Sequence, residues 1–214
     1  MIPALVVFRP PDAKDRTVGW EPKYVHALLL LTVQFEEMLR ESREAPESWR
    51  TAAAVAASVF ARGDVARFLV ERPVPAPASR EEALEWLTLL ARVALRVPNL
   101  VLDVATAERD SRQQPKWGPP VWFLIHHVAY WSPDPTAAPR LVHALPHLLP
   151  CQKCRYGLAS LLEDLPRPDA DTPYRWTGKL HNRVTVLHLD LDARSINGSE
   201  DFVAYALANP MSSF

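Results

Sequence analysis

The chain has 214 residues, a formal net charge of −1 and 48% hydrophobic residues. That is enough apolar material for a sizeable core in one large domain or two small ones. The balanced charge gives no footprint for nucleic acid or an acidic lipid surface. No run approaches eighteen apolar residues without a charge, so no membrane span is expected. Two cysteines in the whole chain argue against a disulfide-stapled secreted domain.

The start, Met1-Ile2-Pro3-Ala4-Leu5-Val6-Val7-Phe8, is apolar but lacks a basic leader and a small-residue cleavage site. It is not read as a signal peptide, and a cytoplasmic location is expected. Residues 1 to about 20 suit an edge strand or an ordered arm. From Tyr24 to Arg43, Leu28 to Leu31, Phe35, Met38 and Leu39 recur at helical spacing, which predicts one helix. His26 near its start reads as a surface or capping histidine. A second helix is expected from Glu47 to Ala61, stopping before Gly63. A short third one is expected to be capped by Asp64. Ser79 with Glu82 three residues later is a capping-box pattern that opens a fourth, ending before Pro98. Residues 21–97 therefore read as a four-helix array with no redox or phosphate-binding residues.

The stretch from Glu108 to Gln114 is polar, and it sets an expected boundary between a helical domain at 1–108 and a second at 109–214. Both are expected to be all-α. Trp117-Gly118-Pro119-Pro120 reads as a helix start, because proline is tolerated in the first turn. Trp122, His126 and Ala129 then share one face, and Trp131 ends the run. Taken alone, this is a core helix with a buried histidine. A further helix is expected from Ala137 to Leu149, disturbed at Pro146.

Pro150-Cys151-Gln152-Lys153-Cys154 holds both cysteines at the start of another helix running to Leu165. Such a pair can exchange thiol and disulfide or supply half of a zinc site. A helix N-terminus favours the thiolate, and Lys153 and Arg155 are expected to push the same way. The last block, from Tyr174 to His188, has Trp176, Leu180, Val184 and Leu187 on an apolar stripe. His181, Thr185 and His188 lie on an adjoining polar one.

Three blocks together carry a resemblance. Gly118, Trp122, His126 and Ala129 match Gly-x-x-x-Trp-x-x-x-His-x-x-Ala. Pro150, Cys151 and Cys154 match Pro-Cys-x-x-Cys. Trp176, His181, Asn182 and Val184 match Trp-x-x-x-x-His-Asn-x-Val-Asn. In that order and spacing, residues 115–190 resemble the FAD-dependent sulfhydryl oxidases of the Erv/ALR family. The resemblance implies a five-helix FAD-binding bundle. It implies FAD held by Gly118, Trp122, His126, Trp131, Cys154, Trp176, His181, Asn182, Thr185 and His188. It implies Cys151 as the interchange thiol and Cys154 facing the flavin. Thiol-bearing proteins would be oxidised, O₂ would accept the electrons as H₂O₂, and the protein would be a homodimer.

The chain departs from the family in places. Thr185 stands where the second Asn belongs. His188-Leu189-Asp190 replaces Leu-Gly-Lys, so a phosphate-contacting cation is missing unless Arg183 or Arg194 substitutes. The usual Tyr after the alanine is shifted to Trp131, and no shuttle cysteines exist. A leading helical domain is similar to the versions in some large DNA viruses, where it resembles a degenerate copy of the same fold.

Three readings compete. His143, His147, Cys151 and Cys154 have the residue types of a closed zinc site in a structural or interaction protein. A thioredoxin-like reductase needs a preceding strand, where these residues read as helix. A relative that had lost its flavin would serve only as an interaction module.

Overall fold

The computed structural model describes residues 22–59, 63–164 and 172–193. The arm expected at 1–20, the end of the second helix beyond Val59, Leu165 and Arg194 lie outside them. All regular structure among the described residues is helical, as the pattern predicts.

The centre is α1 (Pro22–Val33). Proline at its first position is pre-set for the helix. Tyr24, Val25 and every residue from Ala27 to Val33 are buried. A helix apolar on all sides must be surrounded. Accordingly α3 (Ala45–Val59), α5 (Arg80–Leu95), α6 (Val104–Ser111) and α7 (Gln114–Trp131) all pack on it. The buried hydroxyl of Thr32 is used twice. Thr32 Oγ1 donates to Leu28 O at 2.7 Å and accepts from the Trp49 indole at 3.0 Å, so neither polar group is stranded in the core.

The single helix expected from Tyr24 to Arg43 is two. It breaks at Gln34, and α2 is Phe35–Glu41. The Gln34 amide donates to Ser111 Oγ at 2.7 Å, a tie that reaches across to α6. At α4 (Asp64–Glu71) the cap is Gly63, at φ 51°, and Asp64 is the first helical residue instead. Glycine takes that backbone conformation without a Cβ clash. At α5, Ser79 Oγ accepts from Glu82 N–H at 3.2 Å. The Glu82 carboxylate reaches back one residue further than a capping box requires, to the Ala78 N–H at 2.8 Å.

The polar stretch that suggested a domain boundary contains α6, capped by Asp103 through the Thr106 N–H at 3.0 Å. Position 108 falls inside this helix, and Ala107 beside it is fully buried. One hydrophobic core runs through both halves of the chain, from Leu30, Trp49 and Leu90 to Ile125, Leu141 and Leu180. The α3 helix packs on α8 (Ala137–Ala144), and α1 packs on α7.

The α7 helix begins at Gln114, a turn earlier than expected, so Pro119 and Pro120 lie inside it. Each forfeits a helical N–H bond there. After α8 the chain tightens into one 3₁₀ turn, Leu145–His147, where Pro146 cannot continue the α-helical bonding. Then come α9 (Gln152–Asp164) and α10 (Pro173–Ala193). The α10 helix packs on α7, α8 and α9. That packing positions the three blocks.

Candidate redox and cofactor site

Trp122 and His126 lie one turn apart on α7, and His181 comes from α10. The Trp122 and His181 rings stack at 4.1 Å between centroids and 12° between planes. Trp122 and His126 are 5.7 Å apart at 25°. Three rings from two sequence blocks thus form one layered wall.

A chain of hydrogen bonds runs behind that wall, and its polarity is forced. The Thr177 hydroxyl donates to Tyr174 O at 2.9 Å, because a carbonyl can only accept. Its single proton is then spent. His126 Nδ1, 3.2 Å from the same oxygen, must donate to it. Neutral His126 therefore carries a lone pair on Nε2. Into this lone pair His181 Nδ1–H donates at 3.0 Å. The remaining nitrogen, His181 Nε2, is left as an acceptor.

Both rings are neutral at neutral pH. Burial, with the neighbouring His181 and His127 adding to it, pushes His126 down to about 3. Burial pushes His181 down to about 4. Burial, helped by Tyr130, raises the Tyr174 phenol above its ordinary range.

On α10, Trp176 is 4% exposed and Asn182 5%. Tyr130 lies edge-on to both Trp131, at 4.9 Å, and Tyr174, at 5.5 Å. The buried indole nitrogens of Trp131 and Trp176 have no hydrogen-bond partner among the described residues. Buried donors are nearly always satisfied. Gly118 is buried, yet a Cβ built on it would meet no atom within 4 Å. Thr185 is half-buried one turn beyond His181 and stands outside the relay. His188 is on α10, but its side chain lies outside the described set.

These features fit a planar heteroaromatic group. The wall offers stacked rings and an imidazole acceptor, with no net charge. The phosphates of FAD ask for a cation, and half-buried Arg183 on α10 is the described candidate from the sequence.

The cysteines form a disulfide with Cα atoms 5.1 Å apart. Cys151 is half-buried and stands just before α9, and its carbonyl accepts the Arg155 N–H at 3.0 Å. Its sulfur accepts the Cys154 N–H at 3.2 Å, so Cys151 caps the helix with sulfur. Cys154 is 9% exposed, and α9 packs on α10. The expected help from Arg155 takes another form. Its buried guanidinium bonds to Met38 Sδ and to the Glu41 carboxylate on α2, so its charge is already paired.

The four-ligand zinc set does not converge. Among the described residues no group of three or more His, Cys, Asp or Glu side chains is arranged to hold a metal. His147 instead sits 2.9 Å from Ser42 Oγ through Nδ1 and 3.1 Å from Glu44 through Nε2.

The relay residues Tyr174 and Thr177 were not singled out in the sequence. Thr177 and His181 are an i, i+4 pair, and that spacing was the available signal. Nothing marked Glu41 as a neighbour of the cysteine helix. Compared with known proteins, the chain matches no family model, no curated sequence and no solved structure.

Proposed function

We propose that this chain is an FAD-dependent thiol oxidase of Erv/ALR type, which forms disulfides in protein substrates. The observation that carries the reading is convergence. The Trp122–His126 block and the His181 block stack on each other, and the helix headed by the Cys151–Cys154 disulfide packs on the same α10.

The chain's own residues account for the thiol steps. A substrate thiolate attacks the more accessible sulfur, Cys151 Sγ. The Cys151–Cys154 bond breaks, a mixed disulfide forms, and Cys154 leaves as a thiolate. A second substrate thiolate attacks the substrate sulfur of the mixed disulfide. The substrate disulfide forms and Cys151 departs, with the Cys154 N–H and the helix N-terminus stabilising its negative charge. Two electrons now reside on the cysteine pair. Trp122, His126, Trp131, Trp176, His181 and Asn182 would hold the FAD, with Gly118 leaving room beside them. When bound, FAD supplies a two-electron route from the dithiol to O₂, giving H₂O₂.

Purified protein should be yellow and should release FAD on denaturation. Cys151→Ser and Cys154→Ser should each abolish dithiol-dependent H₂O₂ formation while retaining FAD. A colourless protein that refuses added FAD would overturn the reading.

A further inference from the structure

The segment carrying the cysteines is held at both ends by one corner of the first half of the chain. Four residues before Cys151, His147 meets Ser42 and Glu44. Directly after Cys154, Arg155 reaches Met38 and Glu41. Residues 38–44 therefore bracket the disulfide, from more than a hundred positions away in sequence.

We propose that Glu41 is a positioning residue that sets the redox poise of the Cys151–Cys154 pair through Arg155. This rests on the reading of the pair as a redox couple. Arg155 directly follows Cys154, and its N–H donates to Cys151 O at 3.0 Å, so the residue that carries the cation is tied to both cysteines. Its guanidinium is nearly fully buried, its side chain only 9% exposed. Charge there is poorly screened by solvent or salt. A bare cation at that place would stabilise a thiolate and so favour the reduced form. Glu41 cancels the cation, and it is the only carboxylate paired with it among the described contacts. The pair thereby stays more reducing, as a couple must be to hand its electrons onward.

The two halves of the ion pair act with opposite sign, which a clamp alone does not do. The full-length protein is equilibrated with glutathione. Two glutathione thiols are oxidised to one disulfide as the Cys151–Cys154 bond is cleaved to two thiols. In Glu41→Gln the balance should move toward the dithiol by about threefold, or about 14 mV at roughly 30 mV per decade. In Arg155→Met it should move toward the disulfide, because Glu41 is then left as an uncancelled anion. The neutral pair Glu41→Gln with Arg155→Met should return close to the parent value. If Arg155→Met fails to fold, Glu41→Gln and the double variant still decide. Shifts of the same sign in both single variants would overturn the proposal. So would an unmoved equilibrium in Glu41→Gln with its disulfide intact. The measurement needs neither flavin nor O₂. A protein without FAD could still pass it, and a failure here would leave the flavin reading standing.

Discussion

His126 and His181 make the stability of the site depend on pH. Both are held below their ordinary value of 6.5, to about 3 and about 4. The unfolded chain therefore binds protons that the folded one refuses. Their contribution is fully present above pH 6.5 and declines as pH falls toward 4, by up to about 1.4 kcal/mol per pH unit for each ring. Urea unfolding between pH 7 and 4 should show that decline. His181→Phe keeps an aromatic ring against Trp122 but removes one titrating group, so its slope should be about half as steep. Parallel slopes in the two proteins would refute the assignment. The residues of the wall were legible because aromatic and histidine side chains recur at helical spacing. The direction of their hydrogen bonds was not. It depends on Thr177 and on a backbone carbonyl, and neither carries a sequence signature.

The helices themselves followed from apolar periodicity, and their ends followed less well. The α5 helix runs to Leu95 and closes with Arg96 in the left-handed conformation, φ 56° and ψ 38°. Arg96 N–H donates to Val93 O at 3.3 Å, and Val97 N–H donates to Arg92 O at 3.0 Å. This is the Schellman arrangement, which favours glycine at that place. Arg96→Gly should raise the stability of the protein by about 1 kcal/mol, read as a higher urea midpoint. The sequence pointed to Pro98 as the stop, because proline is visible in a sequence and a left-handed arginine is not. The same holds for α6. Only Ala107 and Ser111 of its eight residues are buried, too few to show a periodic stripe. Within α7, Pro119 and Pro120 pointed to a start that lies a turn too late. A helix packed against α1, α8 and α10 tolerates prolines that an isolated helix would not.

A sequence shows which face of a helix is apolar, but not which face it will meet. Two apolar halves separated by a polar stretch suggested two domains. In the folded chain Leu30 and Trp49 belong to the same core as Ile125 and Leu141. The fragment 109–214 keeps all three blocks of the proposed site, yet it loses α1 and α3, the helices against which α7 and α8 are buried. It should show no cooperative thermal transition and should aggregate, whereas the full-length chain should unfold in a single one. A fragment with a sharp transition of its own would show that the second half holds itself together. The Glu41–Arg155 link points the same way, since buried Arg155 on the cysteine helix takes its counter-charge from the first half.

The pairing of α3 with α8 also has a consequence during synthesis. One partner of α3, α8, begins only at Ala137, far behind Val59 on the chain. At about 5–20 residues per second, on the order of ten seconds pass between the two. Through that interval the side of α3 that meets α8 is made but cannot yet be covered. Chaperones that hold apolar segments at the ribosome should therefore raise the yield of folded protein. Expression in a heterologous host with those chaperones supplied should test this, and an unchanged soluble yield would refute it.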